Sequence, residues 1–518
     1  MRLRPKPLMT NVAWSLSLTT SSAVVTFLLT PFVISRIGTE AYGLYVLLIS
    51  VTGLLGFMGY GLGEAVLRNV AHDLGRGDIA GVNRVFGTGF SVSLGLAAVA
   101  LSGFFLGAPL IASLLKLPAV ERDLAAGLLR WTGLTFAVNL AGGGFSSIPQ
   151  ALQRYDIRTK AILVQSLFQA CGTIVLLWCG YGLYELVIWL VASTVLAQVL
   201  NVAVAKALIG ELRFRPAFSR RGFGEVFGYS VFSILTYAFG TLWFYGDRFI
   251  LGASVGAAAV AYLAVPHMLV FRAMDFVSSA GNVLLPRFST MTDDGQRRRL
   301  YLQASWAVTA CSVMVFVPLT VILPGLLRLW VGEEFAAEGA VIGQLIAASS
   351  IVRGGAVVYQ GLFNGLGKPQ LVSAVMFTSA SLSLLTNVLL IPRYGLAGAG
   401  YSYCLTGLIA LATAVVAWRW VLKERSILPV LGSTVAPVST GAVCLGALLV
   451  VRSTLPQPGW VSLGALGISA WVVTVAGLLV SDRILLGDGR HGRLVIARAQ
   501  GLLSEFRAAW WAKGAPAG

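Results

Sequence analysis

About fourteen apolar runs follow one another along the chain, each long enough to cross a hydrocarbon core of about 30 Å as a helix. No single soluble core could bury that many. Inside a bilayer, backbone groups must be paired within the segment, which a helix does by itself. The expected fold class is therefore all-α and integral to a membrane. The expected spans are 11–35, 41–66, 85–111, 124–148, 159–179, 183–208, 225–251, 258–285, 303–326, 340–364, 370–391, 396–420, 427–451 and 459–481. The first run, 12–34, is too long for the apolar region of a signal peptide and is expected to stay as the first helix.

Charge gives the orientation. A net charge of +17 would suggest nucleic acid in a soluble chain, but here 57% of residues are apolar and 11% charged. The cations sit at the ends of spans, as the positive-inside rule requires. Counting helix-end residues, 28 of the 38 Lys and Arg residues fall with the two termini and alternate loops, and seven fall on the opposite side. The remaining three, Arg130, Arg272 and Arg353, lie within spans. Both termini are thus expected in the cytoplasm. The outward loops are short, and the largest, 328–340, is acidic through Glu333, Glu334 and Glu338. The five cysteines lie in apolar runs without metal-ligand spacing, so they read as small packing residues.

The chain also repeats itself. Gly38, after the first span, overlies Gly256, after the seventh, at an offset of 218 that also pairs Ser15 with Ser233 and Thr19 with Tyr237. The loop from Arg68 overlies the one near Arg287, Gln150-Ala-Leu matches Gln360-Gly-Leu, and Tyr181-Gly-Leu matches Tyr394-Gly-Leu. Two parallel six-helix lobes related by a pseudo-twofold axis follow from this. The expected division is an N-lobe at 1–209, a cytoplasmic loop at 210–224, a C-lobe at 225–421, two further helices at 422–481 and a basic tail at 482–518. That tail alternates apolar and basic residues and is expected to lie on the anionic inner leaflet.

Polar residues inside the spans are the candidate site, because charge buried in hydrocarbon is costly and faces water or a partner. Arg272, Asp275, Ser279 and Asn282 share one face of the eighth span. The alternative is an Arg272–Asp275 pair that only joins helices. Ser15, Thr19, Ser22, Thr26 and Thr30 stripe the first helix, and Ser233, Tyr237, Thr241, Tyr245 and Arg248 stripe the seventh. Facing one another they would line a central cleft; alternatively the hydroxyls bond their own helix carbonyls. Arg353 lies near the midplane of the tenth span on a face with Ser349, Gln360 and Asn364. Weaker candidates for a gate or rim are Glu64 with Arg68, Asp247 with Arg248, and Arg130, which could equally snorkel outward or form simple ion pairs. The three histidines are far apart, and no HExxH, GxSxG or Walker sequence occurs, so catalysis and metal binding are not expected.

The stretches GTEAYGLYVLLISVTGLLGFMGYGLGEAVLRNVAHDLGRGD (38–78) and DRFILGASVGAAAVAYLAVPHMLVFRAMDFVSSAGNVLLPRFS (247–289) resemble polysaccharide-biosynthesis transporters. These belong to the multidrug/oligosaccharidyl-lipid/polysaccharide exporter superfamily, and the resemblance covers roughly residues 8–425. It implies a two-lobed, MATE-like flippase of the bacterial cytoplasmic membrane. Such a protein moves undecaprenyl-diphosphate-linked oligosaccharide to the outer leaflet for surface polysaccharide synthesis. Arg272 and Arg353 are then the leading diphosphate ligands, since a guanidinium stays charged and donates two parallel hydrogen bonds. The implied partners are the bilayer, the lipid-linked oligosaccharide and glycan polymerase or glycosyltransferase machinery, with a monomeric transport unit. No cofactor is expected beyond a coupling ion, H+ or Na+, or the membrane potential. A multidrug cation exporter would favour acidic residues where this chain has Arg. A membrane polymerase would need a large outward loop, and a non-transporting scaffold would not need paired polar stripes.

Overall fold

The computed structural model describes residues 8–117, 119–227, 231–279, 281–454 and 459–485, and every regular element among them is helical. The chain opens with α1 (Leu8–Ile37), α2 (Thr39–Leu54), α3 (Phe57–Gly75), α4 (Ile79–Leu114), α5 (Ala119–Ala151) and α6 (Tyr155–Trp178). It continues through α7 (Leu183–Leu208), the short α8 (Arg220–Phe227), α9 (Val231–Ser254), α10 (Ala257–Ser279), α11 (Gly281–Thr290) and α12 (Asp294–Val331). The last six are α13 (Glu333–Arg353), α14 (Ala356–Gly365), α15 (Pro369–Tyr394), α16 (Leu396–Val416), α17 (Leu428–Thr454) and α18 (Trp460–Leu485). The basic tail, 486–518, lies outside the described residues.

Each expected span falls on a helix or a helix pair. Among the described residues twelve helices are long and apolar enough to cross a membrane, thirteen when α2 and α3, bent by 45°, count as one broken span. The helix α9 stands outside that set because Tyr237, Thr241, Tyr245, Asp247 and Arg248 lower its hydropathy. The tenth span, expected as a single helix, is interrupted at Gly354–Gly355 between α13 and α14. The longest helices, α4 and α12, run 36 and 38 residues. At 1.5 Å per residue each exceeds 50 Å, roughly 20 Å more than the hydrocarbon core. Both start on an aspartate cap, Asp78 accepting from the Gly81 amide and Asp293 from the Gly295 amide. Those caps sit in the two loops that overlie one another in the repeat. Gly38 and Gly256, paired by the same repeat, both adopt positive φ, 85° and 133°, which a side chain would strain.

The chain divides into two compact units: Met1–Val265 with Pro369–Ala399, and Pro266–Lys368 with Gly400–Gly518. The boundary in α10 falls at Pro266, which lacks the amide proton needed for the helix ladder. In the first unit, α3, α4 and α5 bury Leu62, Val66, Val85, Phe86, Phe145 and Ile148 in one cluster. Here α9 packs against α2, α3 and α15. Two glycines permit close helix approaches in this unit, Gly61 of α3 to α9 and Gly43 of α2 to α10. A Cβ on Gly61 would run into the Ile234 side chain, and one on Gly43 into the backbone of Ala257. The second unit is built on α12, whose Val313, Phe316, Val317, Val321, Leu323 and Leu327 are buried against α13, α17 and α18.

Candidate functional site

In the second unit, Arg272 and Asp275 lie on the last two turns of α10. Their closest approach, Nη1 to Oδ2, is 3.7 Å, and the side chains are 42% and 56% exposed. A pair that long and open leaves most of the hydrogen-bonding capacity of both groups facing outward. Ser279, also exposed, gives its hydroxyl to the Phe276 carbonyl at 2.6 Å. Asn282 falls in α11, and its side chain lies outside the described ones.

Arg353 is the last residue of α13, and its guanidinium lies over the ring of Phe271 at 5.5 Å. Phe271 is the chain neighbour of Arg272, so Arg353 packs on the turn of α10 that carries Arg272, while Arg272 itself is exposed. Gly354 holds this geometry: a Cβ there would meet Ser312 of α12 and Val277 of α10. One turn back along α10, His267 is buried, with Nε2 2.8 Å from the hydroxyl of buried Tyr403 on α16. The His267 ring also packs on Phe271, with centroids 4.1 Å apart. His267 and Tyr403 are additions to the site that the polar face read from sequence did not include. The histidine was legible as an intramembrane titratable group, but the tyrosine had no signal of its own.

In the first unit, the polar stripe of α9 is spent along α2 and α3. Tyr237 stacks on Tyr60, with centroids 4.0 Å apart and planes 2° apart. Thr241 donates to the Leu54 carbonyl at 3.1 Å, and Tyr245 lies over Gly53. Arg248 donates to the Ser50 hydroxyl at 3.0 Å and sits over the rings of Phe244 and Tyr245. Asp247 and Arg248 are both buried, which sets them apart from an interfacial ion pair. Glu64 and Arg68 are exposed on α3. Arg130 is exposed on α5. The side chains of Ser15, Thr19 and Ser233 lie outside the described ones.

The rest of the α1 stripe lines a cavity of about 260 Å³ in this unit. Ser22, Thr26 and Thr30 face Tyr42 of α2 and Gln165 and Gln169 of α6 across it. Thr26 and Thr30 donate to carbonyls of their own helix, at 2.9 and 2.8 Å, which leaves their oxygen lone pairs to the cavity. Gln169 accepts from Ser193 and is thereby fixed. The lining carries no charge and mixes these hydroxyls and amides with apolar Val25, Leu29, Val33 and Leu186. The amides of α6 were missed because each sits alone in an apolar run.

Outside the spans, Arg154 forms a bidentate pair with Asp156, at 2.9 and 3.0 Å. That hydrogen bonding pushes the Arg154 guanidinium above its usual range. The pair closes the turn between α5 and α6, in which Gln153 takes a left-handed φ of 54°.

Comparison with known proteins agrees with this architecture. A family model described as polysaccharide biosynthesis protein matches residues 8–292. A putative O-antigen transporter of Shigella flexneri is 20% identical over 405 residues, 76% of this chain and 93% of that protein. An uncharacterized membrane protein of Methanocaldococcus jannaschii is 24% identical over 255 residues, covering 48% of this chain and half of that one. Among solved structures, the lipid II flippase MurJ in an inward closed conformation aligns with a TM-score of 0.71 at 12% identity, over 92% of this chain and all of that one. An inward-facing MATE family multidrug transporter of the MOP superfamily aligns at 0.65 and 12%, over 78% of this chain and 98% of that one.

Proposed function

The chain belongs to the polysaccharide biosynthesis protein family, and on that premise we propose that it is a flippase for a lipid-linked oligosaccharide. The substrate class is a saccharide on undecaprenyl diphosphate, carried from the inner to the outer leaflet of a bacterial cytoplasmic membrane. One observation carries this reading: an open guanidinium, Arg272, within a membrane-spanning helix, held by no more than a long contact to Asp275. In hydrocarbon that arrangement would be costly, so the group faces water or an anion. A diphosphate supplies the anion, and a planar guanidinium suits it. Arg353, on the adjacent turn through Phe271, is the second ligand.

The protein on this reading transports rather than catalyses. Its termini are cytoplasmic, and either an ion gradient or the membrane potential drives it. A multidrug cation exporter is the weaker reading, because the charge on this turn of α10 is led by arginine.

The test is a strain lacking the gene. Loss of surface polysaccharide with accumulation of lipid-linked oligosaccharide on the inner leaflet is the expected result, reversed by the plasmid-borne gene. Normal surface polysaccharide together with heightened sensitivity to cationic drugs would replace this reading with drug export.

A further inference from the structure

The stack of Tyr60 on Tyr237 has no evident role in packing alone. Tyrosines that only fill a core are covered, but these are 45% and 37% exposed, and Glu64 beside them is exposed as well. Each ring covers one face of the other, so the open surface is their outer faces and edges. All three residues lie inside, or at the end of, helices expected from the sequence to span the membrane. Two phenols and a carboxylate turned to lipid would be left without polar partners, at a cost of several kcal/mol per group in hydrocarbon. The patch therefore faces an aqueous or polar surface.

The geometry is also held firmly. Below the stack, Gly61 lets α3 meet α9 at Ile234 with no room for a Cβ. Above it, Thr241 is bonded to the Leu54 carbonyl where α2 ends. The stack thus sits between two fixed contacts, with Glu64 one turn along α3 from Tyr60. A preformed, rigid surface of this kind binds with little ordering cost.

Resting on the flippase reading above, we propose that Tyr60, Tyr237 and Glu64 form a carbohydrate-binding subsite, recognising a neutral sugar ring of the lipid-linked saccharide. The aromatic faces match the C–H face of a pyranose, and the tyrosine edges supply polar handles. The Glu64 carboxylate offers several acceptor sites, and a sugar hydroxyl donating to one of them forms a charge-assisted bond. A lipophilic cation is the competing ligand for rings beside a carboxylate. The sugar is favoured by the tyrosine hydroxyls at the ring edges, which a cation cannot use as donors, and the experiment below separates the two. The subsite would make this unit the one that distinguishes a glycan-bearing lipid from the bare carrier.

The experiment measures binding of two probes to the full-length protein in nanodiscs: undecaprenyl diphosphate, and the same lipid carrying one N-acetylhexosamine. The wild-type protein should bind the sugar-bearing lipid more tightly, by about ten- to a hundredfold, the range of a charge-assisted hydrogen bond. Tyr60→Phe keeps the ring and removes its hydroxyl; Glu64→Gln removes the charge; Tyr237→Leu removes the stack. Each should narrow the ratio of the two affinities about tenfold. The first two are near-isosteric, so a misfolded Tyr237→Leu would leave the result standing. A wild-type ratio near one, or a ratio unmoved by Tyr60→Phe and Glu64→Gln, overturns the subsite alone. Ethidium binding abolished by Glu64→Gln, with the ratio unchanged, overturns it in favour of a cation. A wild-type protein that binds neither lipid overturns the flippase reading, and the subsite with it.

Discussion

The hydroxyl of Tyr403 lies 2.8 Å from Nε2 of His267, and both residues are buried in the second unit. Breaking such a pair from one side strands a polar atom, whereas removing both partners does not. Tyr403→Phe is expected to destabilise the protein by about 1–3 kcal/mol. Combined with His267→Leu, the loss should be smaller than for Tyr403→Phe alone. Thermal unfolding of the detergent-purified variants measures both. A double variant less stable than the single one would show that the ring packing of His267 on Phe271 matters more than the hydrogen bond.

Two glycines make contrasting tests of how closely the helices approach. A Cβ on Gly61 collides with the flexible end of Ile234, but one on Gly43 collides with the carbonyl of Ala257. Overpacking of this kind costs about 1–3 kcal/mol. Gly61→Ala should be rescued by Ile234→Ala, because the offending atoms are removed. Gly43→Ala should have no rescue from trimming any side chain, since α10 itself must move. Melting temperatures of the single and paired variants decide it, and equal rescue at both sites would contradict the backbone contact.

The same contrast explains what was legible in the sequence. Helices and their order follow from apolar runs, and the face of a helix follows from periodicity. What a face meets does not. The α9 stripe was visible from Tyr237 to Arg248, but its partners Tyr60, Leu54 and Ser50 belong to a span whose few polar residues form no stripe of their own. The break between α2 and α3 was hidden for a related reason. Leu54-Leu55-Gly56-Phe57 keeps the hydropathy high, while the chain changes direction by 45°. Gln165 and Gln169 gain meaning only when α6 is laid beside α1 across the cavity.

Topology is tested from outside the cell. Glu334 opens α13 in the acidic loop expected outside, and Arg215 lies in the loop before α8 expected inside. In cysteine-free protein, a thiol reagent that cannot cross the membrane should label a cysteine at 334 in intact cells. It should reach one at 215 only after lysis. Inverted labelling would reverse the orientation drawn from the distribution of Lys and Arg.

Arg272 carries the sharpest prediction. Its contact to Asp275 spans 3.7 Å between two open side chains. An exposed pair three residues apart contributes about 0.5 kcal/mol or less to a helix. Arg272→Gln with Asp275→Asn should therefore insert normally and melt within a few degrees of the wild type. If the arginine binds a diphosphate, that double variant should still fail to restore surface polysaccharide in the deletion strain. Arg272→Lys should restore it poorly, because an ammonium keeps the charge and loses the planar fork that matches two phosphate oxygens. Asp275→Asn alone should retain export, since it leaves the guanidinium in place and removes a competitor for it. Membrane levels of each variant are measured beside glycan export, to separate transport from insertion. Full export by the double variant would make Arg272 a structural residue and remove it from the site.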